Sequence, residues 1–241
     1  MSYIETNGYF TFDGVKSSDY GVWINGGGTY NAAARRYSEY KVPGRSGVLT
    51  IDEKAFEECT HKYTAFIAAS FPSNVEGFRN QLMSRVGYCR LTDTYHTDEF
   101  YRAKFMDGLD VTPAPGGVAG AFEIKFKRDP RRFLTSGETD ETFTADDTIT
   151  NPTLFDSLPN IRVYGYGTFY IGSDLITVEQ NALAYIDIDC EIMDCFCGAT
   201  NANEYVSFQN NSFPTLAPGA NGITLSANIS SLVITPRWYR L

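Results

Sequence analysis

Phe122-Glu-Ile-Lys-Phe-Lys-Arg-Asp-Pro-Arg-Arg-Phe133 opens in strict alternation, with Phe122, Ile124 and Phe126 on one side and Glu123, Lys125 and Lys127 on the other. A period of two residues is that of a strand with one buried face. Pro130 has no N–H to give to a ladder, so the strand is expected to end there. Two upstream segments have the same build. Phe10 and Phe12 alternate with Tyr9, Thr11 and Asp13 before an Asp13-Gly14 turn, and Ser18-Asp-Tyr-Gly21 follows. In Val42-Pro-Gly-Arg-Ser-Gly47, Pro43 fixes φ and Gly44 is free to take positive φ, after which Val48-Leu-Thr-Ile51 resumes extended chain.

Composition extends this reading. The 241 residues include 17 Phe, 16 Tyr, 2 Trp and 21 Gly, a mixture that suits short strands and tight turns better than a helical bundle. No apolar run approaches the roughly 20 residues of a membrane helix, so no membrane insertion is expected. Met1-Ser-Tyr-Ile-Glu5 has neither the basic start nor the apolar core of a secretory leader, which points to folding in a cytosol. The five cysteines then read as free thiols. Cys195-Phe-Cys197 supplies only two ligands, with no histidine near it, so small apolar side chains in a core are expected there and no metal.

Charge splits the chain. Residues 1–137 hold 17 basic and 16 acidic residues, whereas 138–241 hold 3 basic and 13 acidic ones. With the small polar stretch Thr135-Ser-Gly-Glu-Thr-Asp-Glu141 between them, two domains are expected, 1–137 and 138–241. An acidic second half is unsuited to gripping phosphates.

Within the first half, Asn25-Gly-Gly-Gly28 reads as a bend after a Val22–Ile24 strand. Thr29 to Tyr40 is polar and aromatic around Arg35-Arg36, either a stacking platform for nucleic acid or a protein contact surface. Ala55 to Ser70 fits a helical stripe or strand alternation. Val75, Phe78, Leu82 and Val86 share one helical face, with Ser73 or Asn74 as cap and Gly87 as stop. Strands are expected over 88–91 and 100–105, then a Gly/Pro-rich loop over 107–120. In the second half, 159–164 and 168–171 read as a hairpin around Gly165-Tyr-Gly167. Over 185–197, Ile186, Ile188, Cys190 and Ile192 face one way and Tyr185, Asp187, Asp189 and Glu191 the other.

Three carboxylates on one strand face invite thoughts of glycoside hydrolysis or calcium, but a solvated charged face is the plainer account. Only His61 and His96 are available for imidazole chemistry, and no GxSxG, HExxH or phosphate-loop motif occurs. No enzyme and no cofactor are expected. A carbohydrate-binding module is the competing reading, with Tyr164, Tyr166, Tyr170 and Trp238 as stacking candidates.

In order and spacing, these segments, followed by Asn151-Pro-Thr153, Pro159-Asn-Ile-Arg-Val-Tyr-Gly165, Tyr185-Ile-Asp-Ile-Asp-Cys190 and Ile234-Thr-Pro-Arg-Trp238, resemble the distal tail proteins of phages with long, non-contractile tails. The resemblance implies a mainly β chain, with an N-terminal β-sandwich carrying one α-helix and then a C-terminal galectin-like β-sandwich. It implies a homohexameric ring at the virion tail tip, assembled in the host cytoplasm. The ring would join the tail tube protein to the central tail tip protein, with DNA only passing through its channel. Thr29 to Tyr40 would be an arm reaching the neighbouring subunit. The contact candidates are Tyr37, Tyr40, Arg45, Arg131 and Arg132, the last alternatively holding a local carboxylate.

Overall fold

The computed structural model describes residues 8–68 and 71–241. Chain contacts divide them into two units, one running to Arg132 and including Leu241, the other Phe133–Arg240.

The first unit holds strands β1 (Phe10–Phe12), β2 (Val15–Lys16), β3 (Val22–Ile24), β4 (Arg35–Tyr40), β5 (Leu49–Phe56) and β6 (Cys59–Ala68). Helix α1 (Phe71–Met83), β7 (Cys89–Asp93), β8 (Glu99–Lys104), β9 (Thr112–Pro113) and β10 (Ala119–Leu134) complete it. The main sheet runs β2-β1-β7-β8-β10-β6-β3. Ile24 donates its N–H to the Gly8 carbonyl at 2.8 Å, which brings the β3 edge back to the chain entering β1. The sheet therefore curls around its own apolar face. Asp13 (φ 50°) and Gly14 (φ 79°) both take the left-handed conformation that the tight β1–β2 turn requires.

Alternation decides what lies inside. Cys59, His61, Tyr63, Ala65 and Ile67 are all buried, so the ambiguous stretch is the strand β6; residues 69–70 of it lie outside the described residues. Phe10 stacks on Tyr63 with centroids 5.4 Å apart and meets the edge of Phe126 at 5.4 Å. Helix α1 adds Phe78 and Leu82 to this core.

Three expectations need correction. The strand does not stop at Pro130, because β10 continues to Leu134. Its ladder with β6 ends at Arg128↔Cys59, so Pro130 lies past that pairing and its missing N–H removes no bond to β6. The helix ends at Met83, leaving Val86 exposed, and it begins at Phe71, so Ser73 and Asn74 are not its caps. Within the 107–120 loop, Thr112 and Pro113 pair with Ala121 and Gly120.

The second unit contains β11 (Glu141–Phe143), β12 (Asp147–Asn151), β13 (Asn160–Gly165), β14 (Gly167–Ile171), β15 (Asp174–Val178) and β16 (Ile186–Asp189). It continues with β17 (Asp194–Cys197), β18 (Thr200–Asn201), β19 (Val206–Phe208), β20 (Gly219–Leu225), β21 (Ile229–Thr235) and β22 (Tyr239–Arg240). Two antiparallel sheets, β11-β21-β13-β16-β17-β18 and β12-β20-β14-β15-β19, enclose a core that includes Ile149, Ile161, Phe169, Ile188 and Leu232. That is a β-sandwich.

The expected 159–171 hairpin is absent. β13 pairs with β16 and β21, whereas β14 pairs with β15 and β20, so the chain changes sheets at Gly165-Tyr-Gly167. Gly165 (φ 102°) and Gly167 (φ 125°) permit the bend, and a bulge at Tyr164/Gly165 ends regular pairing with β21. The period-two stretch over 185–197 is itself a hairpin, β16 to β17, and Ile192 sits exposed at its turn rather than on the core face. Among the described residues, no helix is long and apolar enough to cross a membrane.

Candidate assembly surface

β4 and β5 pair only with each other, forming a two-stranded ribbon separate from the main sheet. A lone ribbon has no second layer to bury its apolar side chains, and on its own it is marginal in water. Register sorts its faces. Tyr40↔Leu49 and Ser38↔Ile51 put Tyr40, Leu49 and Ile51 on one face; Tyr37↔Asp52 and Glu39↔Thr50 put Tyr37 on the other. Tyr40, Leu49 and Ile51 are 55%, 42% and 49% exposed. Val42 and Val48 near the ribbon's end are exposed as well. That is a large apolar exposure for so thin an element.

Two cations of the ribbon, Arg35 and Arg36, are paired with nearby carboxylates. Arg35 Nη1 lies 2.6 Å from Asp52 Oδ2, and its guanidinium sits 5.0 Å from the Phe56 ring centre. Arg36 Nε is 3.4 Å from Glu53 and 3.3 Å from Glu57. Asp52 also accepts the Lys54 N–H at 2.8 Å; that bond, with Arg35, holds its carboxyl below the usual range. Such cross-strand pairs pin the register. They occupy the Arg35 and Arg36 guanidiniums, the basic pair of the nucleic-acid reading.

The five contact candidates are not gathered in one patch. Tyr37, Tyr40 and Arg45 belong to the ribbon and its turn, while Arg131 and Arg132 lie on β10. Arg131 Nε and Nη2 each donate to the Asp129 carboxylate at 2.9 Å. Burial works to raise the Asp129 pKa, but this fork and the Arg131 N–H outweigh it and the net shift is down. Arg132 donates to Glu99 Oε2 at 3.3 Å and to the Leu241 carbonyl at 3.0 Å. Leu49 and Ile51 escaped the sequence reading, although their alternation with Thr50 and Asp52 carries the signal.

The carboxylate row on β16 is not an open site. Arg162 Nε and Nη2 donate to Asp187 at 2.7 and 2.9 Å, and Arg237 holds both Asp189 oxygens at 2.7 Å. Asp187 and Asp189 are buried, which corrects the expected solvated face. Glu191 has left the strand and lies 3.7 Å from Arg237. Cys190 and Cys195 are buried; burial, then the neighbouring Asp194, pushes the Cys195 thiol up to about 12. Among the described residues, no group of three or more His, Cys, Asp or Glu is placed to hold a metal ion.

Of the sugar-stacking candidates, Trp238 is corrected outright, since it is 4% exposed within the sandwich core and has no free ring face. Tyr164 lies on β13 beside Tyr185, and Tyr170 on β14 belongs to the other sheet. Tyr166 and Tyr170 are partly exposed.

No protein-family model matches the chain, and no curated protein sequence matches it. Solved structures do. The crystal structure of the Dit protein (gp 19.1) of phage SPP1, described as a paradigm of the hub adsorption apparatus in phages infecting Gram-positive bacteria, aligns with a TM-score of 0.74 at 13% identity. The alignment covers 97% of this chain and 99% of that one, so both units share its fold. Two structures of the phage P2 baseplate in its activated conformation, with Ca and with Sr, align at 12% identity and a TM-score of 0.49. They cover 95% and 98% of this chain, and 97% and 98% of theirs.

Proposed function

We propose that this protein is a phage distal tail protein, a baseplate hub whose copies close into a hexameric ring between the tail tube and the tail tip. The observation that carries the reading is the fold shared with the SPP1 hub protein from end to end, both units included. The exposed Tyr40–Leu49–Ile51 face adds a physical reason for assembly, because a ribbon without a second layer gains cover from an adjacent copy. The mechanism is positional. A closed cyclic interface fixes symmetry and a central passage, and surfaces above and below the ring would receive the tube protein and the central tip protein. Nothing in the role calls for catalysis.

Light scattering on size-fractionated protein over a wide concentration range tests the ring. A species near six times 26.8 kDa is the expected result. A monomer at every concentration, with saturable binding of glycans quenching aromatic fluorescence, would replace the ring by a sugar-binding module. Tyr166 and Tyr170 are the residues that module would use.

A further inference from the structure

The outer face of the main sheet in the first unit is dominated by one sign of charge. On the adjacent strands β7, β8, β10 and β6, the residues that alternate with the buried ones point away from the core. They include Arg90, Arg102, Lys104, Lys125, Lys127 and Lys62. Register sets like against like, with Lys62 directly opposite Lys125 and Arg90 opposite Arg102. Fewer carboxylates share the face. Glu123 is 3.9 Å from Lys62 and 3.5 Å from Lys125, Glu58 is 2.6 Å from Lys104, and Asp129 is matched by Arg131. Lys127 Nζ donates to the neutral Thr60 hydroxyl at 3.0 Å. The Lys62 and Lys125 side chains are each 42% exposed, and Arg90 and Lys127 are exposed as well.

Like charges directly opposite one another weaken a sheet. Lysines are also placed on edge strands to keep other strands away, but β7, β8, β10 and β6 all lie inside the sheet order, so that purpose does not account for these. A basic field on a rigid sheet attracts and orients an anionic surface. The chain itself carries such a surface. Residues 138–147 hold Glu138, Asp140, Glu141, Asp146 and Asp147, all exposed, and no Lys or Arg. The strands of this segment, β11 and β12, are each the end strand of their sheet. Asp140 accepts from the Thr235 hydroxyl at 2.6 Å and Asp146 from the Leu225 N–H at 2.9 Å; both donors are neutral and leave the carboxylate charge in place.

We propose that the basic outer face of β6, β10 and β8 docks the acidic β11–β12 edge of a second copy of this chain. The inference rests on the ring reading above and names one of its contacts. Two different surfaces meet, so each copy offers its basic face to one neighbour and its acidic edge to the other, the head-to-tail arrangement that closes into a ring. Complementary charge of this kind sets the choice of partner and the register of contact.

Two full-length variants test the contact. Lys62→Glu/Lys125→Glu turns the face negative, and Glu141→Lys/Asp147→Lys turns the edge positive. Either variant alone sets like charge against like, and should self-associate roughly tenfold or more weakly than wild type in light scattering at low salt. In an equal mixture every face again meets an edge of opposite sign, so mixing should restore the wild-type mass. Circular dichroism checks that each variant folds. Should one not fold, Lys62→Gln/Lys125→Gln carries the test, because it should weaken association and flatten its dependence on salt. Variants that associate like wild type overturn the contact and leave a six-fold ring standing. Weakening that mixing does not restore places the ion pairs within one chain and also overturns it. Restoration of an assembly that is not six-fold keeps the contact and removes the hexamer. A wild type that stays monomeric at low salt overturns both. Retention of the wild type on duplex DNA that is lost in Lys62→Gln/Lys125→Gln gives the face to phosphates and overturns the proposal.

Discussion

Asp189 and Arg237 show how much the second unit rests on single pairs. The carboxylate is buried, both oxygens are held at 2.7 Å, and it also accepts the Glu191 and Ile192 N–H groups at 3.0 and 3.3 Å. Removing one partner of such a pair strands the other charge, so Asp189→Ala should cost about 3 kcal/mol of unfolding free energy, read by denaturant titration at pH 7. The pH dependence follows from the direction of the shift. Burial alone would raise the Asp189 pKa, but Arg237 and the two N–H groups outweigh it, and the folded value lies below that of an ordinary aspartate. A depressed carboxyl stabilises the fold above its unfolded pKa and loses that contribution as pH falls through the folded value. The gap between wild type and Asp189→Asn should therefore be full at neutral pH and close only in acid below the ordinary carboxylate range. A gap that persists unchanged at the lowest accessible pH would show that the pair is not its source. Gly165 is the matching backbone case. A Cβ there would sit 2.2 Å from the Asn228 carbonyl oxygen at φ 102°, so Gly165→Ala should destabilise by about 2–4 kcal/mol. An unaltered thermal midpoint would mean the sheet change does not depend on that glycine.

Among the elements, the β4–β5 ribbon carries the sharpest test, because its two faces should behave differently. Tyr40→Ala with Ile51→Ser removes apolar area from the face that also carries Leu49, and should weaken assembly while the thermal unfolding of the protomer stays within about 1 kcal/mol of wild type, as exposed positions usually do. Tyr37→Ala, on the opposite face, should weaken it less; equal losses would mean that the ribbon is covered on both sides. Adding Arg45→Ala to Tyr40→Ala tests whether the turn takes part. These elements were legible in the sequence to the degree that their patterns were local. The alternation of Phe122, Ile124 and Phe126 gives β10, and that of His61, Tyr63 and Ala65 gives β6. The Asp13-Gly14 turn follows from residues that tolerate positive φ. What could not be read was pairing at a distance. Nothing local in Gly165-Tyr-Gly167 distinguishes a hairpin turn from a passage between sheets, because the choice rests on β16, β20 and β21. The burial of Asp187 and Asp189 likewise depends on Arg162 and Arg237, far off in sequence.

For the whole molecule, charge is the property that bears on the proposed role. The second half has 13 acidic residues against Arg162, Arg237 and Arg240, and two of those arginines are bound to Asp187 and Asp189. In the first half the tempting Arg35-Arg36 pair is consumed by Asp52, Glu53 and Glu57. Affinity for DNA grows with the number of phosphates that free Lys and Arg neutralise, and it is largest at low salt. A chain of net charge −9 whose basic pair is internally matched should not be retained on immobilised duplex DNA even at low ionic strength. A passage lined by such a chain would let DNA slide rather than hold it, as a tail hub requires. Retention at low salt that disappears in Arg35→Gln/Arg36→Gln would mean that the cross-strand ion pairs open to phosphates and that the ribbon is a nucleic-acid contact. Retention that survives those changes would move the contact to the cations of β10. No retention, together with a six-fold mass, would make the ring a passage that DNA crosses without binding.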